Sequence, residues 1–550
     1  MTPAWTEPGS ARAATLTRLA SETFDVLVVG GGATGAAIAR DAALRGLAVA
    51  LVDAGDFAGQ TSSHSSKLIH GGLRYLQYGD LPLVFEGLRE RRRLMATAPH
   101  LCHPIEFVFP GYRGESPSLA TLGAGITLYN ALALWKPPAA HRRMGSHELG
   151  EQAPHLRSAG LEGAQVYVDC QTDDARLVLE NILDAETAGA ACASYVRVES
   201  IARDRRARAR GAAVVDRQTG AGFEIRARLV VSAAGPFTDG FLNGPRRLRP
   251  TLGVHLVFDA DRLPHHGRAL VLRTPQDNRL YFVLPAGART IVGTTDTDFA
   301  PDRASARAPR LGDEIRARGS DVAYLLQAAR HAFPSLALGP ADVVSTYAGL
   351  RPLLAGNAHT PSETSREHVI ARGPDGVVVV AGGKLTTLRR MAEETVDVVV
   401  DALHALGIER AFRPCETTTR LLPGGGPPPA GLSGPPDIVA HLGVYGARAM
   451  TLLSVAAESP DLEARIDPGL PYLWAEVVHA ARHERAHALT DILTRRVPLF
   501  RDATDQGLGA APQAAALAAR ELGWTDARVA EELAAYQAAV ALSRRWQSEL

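Results

Sequence analysis

Lysine is almost absent from this chain. It occurs only at Lys67, Lys136 and Lys384, so 56 of the 59 lysine and arginine residues are arginine. That bias reflects genome composition, and it lends weight to the two lysines that sit inside motifs. Cysteine is scarce as well: Cys102, Cys170, Cys192 and Cys415 lie far apart, with neither a CxxC pair nor metal-ligand spacing. The pattern argues against a disulfide framework or a zinc site and reads as free thiols in a reducing compartment. A formal net charge of +0 leaves no basic excess for a nucleic-acid partner. The run RDRRARAR, Arg203 to Arg210, has no interleaved aromatics and reads as the solvated edge of a hairpin. The first residues, MTPAWTEPGSARAATLTRLASETF, hold no signal-peptide core, so secretion is not expected. No apolar run is long and unbroken enough to read as a membrane span. The nearest, Leu119 to Trp135, carries two glycines and an asparagine. It reads as a buried helix, with a helix lying in a membrane interface as the alternative.

What is present is a globular composition, 46% hydrophobic and 21% charged over 550 residues, enough for two or three domains. Residues 1–23 read as a flexible leader. FDVLVVGGGATGAAIARDAALRGLAVALVDAGD then reads strand, glycine turn, helix, strand. Val26 to Val29 is continuously apolar, as a parallel strand covered on both faces should be. Gly30, Gly32 and Gly35 form a GxGxxG between that strand and the helix, and Asp53 ends the second strand 18 residues beyond Gly35. A lone GxGxxG says little; within a whole βαβ unit, followed by an acidic residue, it marks a dinucleotide site. The glycines let backbone approach a pyrophosphate, the helix N-terminus offers free N–H groups, and Asp53 suits a ribose.

Far downstream, GVVVVAGGKLTTLRR, Gly376 to Arg390, repeats strand, glycine turn and helix. Two distant glycine turns predict one long cofactor lying across the sheet, which favours FAD over NAD. Short strands from about Arg249 to Thr297 predict an antiparallel sheet. PGGGPPPAGLSGPP, Pro423 to Pro436, reads as a linker, and alanine-rich helical sequence follows to Leu550. The expected organisation is an FAD-binding domain over 24–400, interleaved with antiparallel substrate-sheet segments at approximately 80–160 and 246–350. A connector over 401–436 and a separate helical domain over 437–550 complete it.

Directly after Asp53 comes GDFAGQTSSHSSKLIHGGLRYL. The hydroxyls of Thr61, Ser62, Ser65 and Ser66, with the Lys67 cation, suit a flavin pyrophosphate and ribityl chain. The Gly71–Gly72 pair permits close approach to a flat ring. His70, Arg74 and Tyr75 are expected at the reacting face of that ring.

These motifs resemble the FAD-dependent (respiratory) glycerol-3-phosphate dehydrogenases of the glycine-oxidase-like flavoprotein superfamily. The matching segments include VVGGGATG, SSKLIHGGLRYL, DDARL, GVHLV, GTTDTD, AGLRPL, SREHVI, GGKLTT and the C-terminal TDILTRR, together spanning about residues 24 to 500. The resemblance implies an α/β fold: a Rossmann-like FAD-binding domain, an inserted antiparallel-sheet substrate domain and a C-terminal all-α domain. It implies FAD contacts at Gly30, Gly32, Ala33, Thr34, Gly35, Asp53, Thr61, Ser62, Ser66, Lys67, Gly71, Gly72 and Val198. Further contacts are implied at Ala234, Gly235, Gly382, Gly383, Leu385, Thr386 and Thr387. A substrate-phosphate clamp would comprise Arg351 and Arg366, assisted by Arg74, Tyr75 and Lys384; a phosphate dianion wants such convergent cations. His70 and His255 are both candidates for the base that takes the substrate's hydroxyl proton, with Arg351 and Lys384 also in the catalytic set.

The implied reaction is oxidation of sn-glycerol 3-phosphate to dihydroxyacetone phosphate by hydride transfer to flavin. Electrons would pass to a membrane quinone, from a cytoplasmic protein held peripherally on the inner face of the membrane; a homodimer stays open. The alternatives are an oxidase that releases hydrogen peroxide, an amine or amino-acid oxidase, and a catalytically silent flavoprotein subunit. Two positions depart from the family pattern. Leu252 stands where lysine is common, which removes a cation expected near the active site, and Phe237 replaces a tryptophan.

Overall fold

The computed structural model describes residues 8–133, 140–241, 248–299, 309–310, 312–355, 367–427, 429 and 432–550. Helix α1 (Pro8–Ser21) leads into strand β1 (Thr23–Val29), helix α2 (Ala33–Leu44) and strand β2 (Val49–Val52). Strand β1 pairs in parallel with β2 on one side and with Gly222–Ser232 on the other, and the latter pairs in parallel with Val378–Gly382. The two glycine turns of the sequence therefore leave the same edge of one sheet. Alternate residues of β1 explain its continuous hydrophobicity. Val26 and Val28 pack under α2 and the helix Leu388–Ala405, while Leu27 and Val29 pack on the opposite face.

The opposite face corrects the expectation of a flexible leader. Within residues 1–23, Pro8–Ser21 is helical, and Leu19 is fully buried against Phe24. Arg12 pins the helix by an ion pair with Asp216 at 2.7 Å. Two leucines three residues apart, Leu16 and Leu19, supply an apolar stripe too short to stand out in an otherwise polar segment.

The second sheet is mixed rather than antiparallel. His103–Tyr112 runs antiparallel to Leu161–Gln171 but parallel to Ala269–Arg273. Leu161–Gln171 also pairs with Leu68–Ile69 in the middle of SSKLIHGG, so this sheet begins earlier than the expected segment at 80–160 and extends past 160. Its strand Leu248–Asp259 pairs along its length with Val343–Leu354, placing Thr251 opposite Arg351 and His255 opposite Tyr347. Helices α3 (Leu81–Thr97) and α4 (Leu119–Leu132) lie against this region. Helix α4 buries Leu119, Leu122, Ile126 and Tyr129 and leaves Leu128 45% exposed, so it is half covered.

The Pro/Gly stretch is not a free linker at its start. Leu422, Gly424 and Gly425 are buried; Gly424 N–H donates to the Glu180 carboxylate at 2.7 Å. A Cβ on Gly446 would sit 1.9 Å from Gly424 O, so glycine here serves close packing. Pro436–Ala456 is apolar and long enough in composition to cross a membrane. Gly446 (φ 53, ψ −131) breaks it, and Leu442, Tyr445, Ala449 and Leu452 lie in the core of the helical domain. That domain is not separate either. Beyond the helix Asp526–Arg544, Trp546 (2% exposed) inserts into the core of the second sheet.

Candidate active site

The first glycine turn is built for backbone. Gly30 has φ +109, and a Cβ on Gly35 would lie 1.8 Å from Gly30 O, so helix and strand meet only if both are glycine. Helix α2 starts at Gly32 with no side-chain cap of its own. Instead Ala33 N–H donates to Ser62 Oγ at 2.9 Å, which brings the TSSHSS stretch over the helix N-terminus. At the end of β2, Asp53 accepts from Gly31 N–H at 2.6 Å and Gly55 N–H at 2.8 Å. Burial pushes its carboxyl up to about 6, against those two bonds. A carboxylate has about four acceptor positions, so Asp53 keeps capacity for a ligand hydroxyl.

From this turn a cleft of about 340 Å³ runs to the second sheet. Gly30, Gly32, Ala33, Thr34, Asp53, Thr61, Ser62, Ser66, Val198, Ala234 and Gly235 line it. Gly382, Gly383, Leu385 and Thr386 of the second turn also line it, as do His70, Tyr75, His255, Arg351 and Lys384. Thr386 joins the two motifs: its hydroxyl accepts from His70 N–H and donates to His70 O, both at 3.1 Å. Residues 316 apart in the chain are thereby held side by side.

Other expected positions do different work. The Lys67 ammonium pairs with the buried Asp174 carboxylate, and Ser65 Oγ donates to the same carboxylate at 2.7 Å. A lysine so nearly buried needs a counter-charge, so Lys67 orders the stretch from within and does not line the cleft. Gly71 and Gly72 do not line the cleft, and each leaves room for a packed neighbour. A Cβ on Gly71 would lie 2.7 Å from Tyr129 Oη, and one on Gly72 (φ +84) 2.1 Å from the Tyr75 ring. Gly71 N–H donates to Tyr129 Oη at 2.8 Å, and Tyr129 donates to Asp169 at 2.8 Å. Gly35 and Thr387 also stand behind the cleft; Thr387 Oγ1 donates to Lys384 O at 3.2 Å and shapes the second turn. Arg366 and the side chain of Arg74 lie outside the described residues.

At the far end Arg351 donates to Asp296 Oδ1 at 3.1 Å, Thr294 Oγ1 at 2.9 Å and Thr295 O at 3.0 Å. Its guanidinium lies over Gly253, where a Cβ would come within 2.4 Å of Nη2. The Lys384 ammonium sits 4.4 Å from the centre of the Tyr75 ring. His255 is buried and stacks on Tyr347 at 4.6 Å, with Nε2 2.8 Å from Ser66 Oγ. Burial, then the nearby Arg351, hold its pKa well below the ordinary histidine value, so the ring is neutral at pH 7.

Leu252 does not face this end at all. It is 5% exposed on the other side of its strand, in a core with Val254, Leu256 and Phe258, while Gly253 and His255 face the cleft. The departure from lysine therefore removes no cation from the cleft. Sequence reasoning also passed over Asp296, which braces Arg351 from within GTTDTD, and His64, which lines the cleft with Nδ1 2.6 Å from Gln60 O. Burial lowers the His64 pKa. Both sat inside quoted motifs, which was the available signal.

Residues 25–398 match the family model of FAD-dependent oxidoreductases, and residues 415–529 match the C-terminal domain of alpha-glycerophosphate oxidase. The chain is 37% identical over 551 residues to glycerol-3-phosphate dehydrogenase 2 of Mycobacterium tuberculosis, covering 96% of this chain and 90% of that one. It is 33% identical over 501 residues to the aerobic glycerol-3-phosphate dehydrogenase of Staphylococcus aureus, with 87% of each covered. Among solved structures, the glycerol-3-phosphate dehydrogenase of Bacillus halodurans complexed with FAD aligns over 98% of this chain and 99% of its own. That alignment has a TM-score of 0.78 at 28% identity. Glycine oxidase of Geobacillus kaustophilus (TM-score 0.51, 21% identical, 72% of this chain and 97% of its own) shares the fold.

Proposed function

The chain belongs to the FAD-dependent glycerol-3-phosphate dehydrogenase/oxidase family, and from that premise we propose that it oxidises sn-glycerol 3-phosphate to dihydroxyacetone phosphate. The observation that carries this is that one cleft is lined by His70 from SSKLIHGG, Lys384 from the second glycine turn, and His255 and Arg351 from the second sheet. The residues present fit FAD. A glycine cradle that a Cβ would fill and a helix N-terminus without its own side-chain cap stand at one end, and a second glycine turn stands further along.

When bound, FAD supplies the acceptor for the two electrons and the hydrogen that leave carbon 2 of the substrate. The rest falls to the chain. Arg351 and Lys384 attract and orient the phosphate dianion beside Tyr75; the resemblance adds Arg74 and Arg366 to this role. Bonds to Asp296, Thr294 and Thr295 fix the plane of the Arg351 guanidinium before substrate arrives. His255 and His70 are the two candidate bases for the carbon-2 hydroxyl proton. His255 is kept in the neutral form a base requires, with Ser66 fixing its ring, and the main chain of His70 is fixed by Thr386.

The acceptor beyond the flavin is proposed to be a membrane quinone. Support comes from the apolar helix α4 with Leu128 45% exposed, and from Leu81 and Phe85 on α3 at 42% and 36%. Such a surface suits peripheral attachment to the inner face of the cytoplasmic membrane. The oxidase alternative draws on the name of the family model matched by residues 415–529. Turnover with a soluble quinone analogue in air separates the two. One quinone reduced per dihydroxyacetone phosphate, with little peroxide, is expected; peroxide equal to product with no quinone reduced would overturn the acceptor assignment.

A further inference from the structure

TDILTRR lies outside the cleft and ends in two adjacent arginines, Arg495 and Arg496. They sit on the wide turn Ile492–Arg496, a π-helical segment. That turn brings both guanidinium groups onto one carboxylate. Arg495 Nε donates to Asp56 Oδ2 at 2.6 Å, Arg496 Nη2 donates to Oδ1 at 2.9 Å, and Arg496 Nη1 donates to Oδ2 as well. Asp56 is 3% exposed and belongs to a different domain, 440 residues away in the chain from Arg496. Burial alone would raise its carboxyl, but Arg496 and Arg495 hold it below the ordinary range, so it stays ionised at neutral pH.

Asp56 lies on the loop that leaves β2 just after Asp53, and this loop folds back onto the first glycine turn. Ala58 N–H donates to Gly31 O at 3.1 Å, and the Phe57 ring fills the space beside Gly31, where a Cβ would meet it at 2.6 Å. Ala58, Gly59 and Gln60 then form part of the cleft wall. A second tie reaches the same loop: Asp491 accepts from Arg495 at 2.9 Å and from Tyr195 Oη at 2.6 Å, and Tyr195 N–H donates to Gly55 O at 2.9 Å. The arginine side is itself anchored, because Arg496 donates to Glu484 O at 2.9 Å and Arg176 donates to Arg496 O at 3.1 Å.

We propose that the helical domain is part of the FAD site, with Arg495 and Arg496 as positioning residues that clamp Asp56 and hold the Gly55–Gln60 loop in its cofactor-receiving shape. This rests on the cleft being the FAD site, and it gives the helical domain a task the reaction alone does not require. Two buried arginines on one carboxylate are costly unless their geometry is kept, so the clamp resists relaxation of the loop.

The test uses full-length enzyme stripped of flavin and titrated with FAD, as wild type, Asp56→Asn and Arg495→Lys. The lysine variant keeps the charge but cannot bridge Asp56 and Asp491 together, so it serves if Asp56→Asn fails to fold. The expected result is FAD binding about 3- to 30-fold weaker. Faster amide exchange in flavin-free protein should be confined to residues 54–60 and 491–497, and the KM for glycerol 3-phosphate at saturating FAD should stay within about twofold of wild type. FAD affinity within about twofold of wild type in the folded variants, or faster exchange spread through the whole helical domain, would overturn the inference. Wild-type protein that takes up no FAD would overturn the cofactor assignment and this inference with it; normal wild-type uptake beside unchanged variants overturns only the latter.

Discussion

Replacing Arg351 with alanine separates a substrate clamp from a structural ion pair. The guanidinium is 17% exposed, lines the cleft and hydrogen-bonds Thr294, Thr295 and the Asp296 carboxylate. Asp296 and Thr294 define the plane of the fork, which lines the cleft where a ligand anion would sit. Truncating one member of a buried, hydrogen-bonded charge pair costs about 2–5 kcal/mol. At about 1.4 kcal/mol per factor of ten, the KM for glycerol 3-phosphate should rise roughly 30-fold to several-thousand-fold. The effect on kcat should be smaller, because phosphate contacts act in ground state and transition state alike. Asp296→Asn should raise KM by less, since it loosens the brace but leaves the cation. Steady-state kinetics with an artificial electron acceptor, together with a thermal melt, read both quantities. If Arg351→Ala lowers the melting temperature but leaves KM within about threefold in the folded fraction, the residue is a strut for Asp296 and the phosphate is held elsewhere.

Three further outcomes follow from the same geometry. Leu252→Lys should leave KM unimproved and reduce stability by a few kcal/mol, on the order of the cost of an unpaired polar group in a core; a lower KM in a well-folded variant would show that position 252 does face substrate. His70→Ala and His255→Ala should each lower kcat, by about 10²- to 10⁴-fold for the one that acts as base, and pre-steady-state flavin reduction would rank them; two variants with wild-type rates would remove histidine from the reaction. FAD affinity should fall as pH drops below about 6. The Asp53 carboxyl titrates there in the free protein and must be ionised to accept a ribose hydroxyl, so binding releases a proton and weakens by up to tenfold per pH unit below that point. Equilibrium titration with FAD at pH 5 and 7 should show this dependence in wild type and lose it in Asp53→Asn; the same slope in both would place the titrating group elsewhere.

How much of this was legible in the sequence depended on distance along the chain. The β1–α2–β2 unit and its glycines were readable because the turn, the close strand–helix contact and the acidic residue all lie within 24 residues, Gly30 to Asp53. The second glycine turn was readable for the same local reason. Roles that depend on tertiary pairing were not. Lys67 looked like an anion ligand until the fold set Asp174 beside it, and the packing of Leu88 and Tyr129 on Gly71 and of the Tyr75 ring on Gly72 has no local signature. The face that Leu252 presents is set by strand register, which a motif match does not carry. The glycines of PGGGPPP are identical in composition to those of a flexible linker; only the approach of His100 and Gly446 shows why Gly424 is there. The Asp56–Arg496 clamp joins segments that no local pattern connects.

The central claim is that one cleft holds FAD beside a clamp for a phosphorylated alcohol. Anaerobic titration of the purified holoprotein with glycerol 3-phosphate, followed by the visible absorbance of oxidised flavin, addresses it most directly. The account predicts stoichiometric bleaching by glycerol 3-phosphate, little by glycerol or glycine, and loss of the response at the same concentrations in Arg351→Ala. A flavin that stays fully oxidised under excess glycerol 3-phosphate, or that glycine reduces instead, would contradict it.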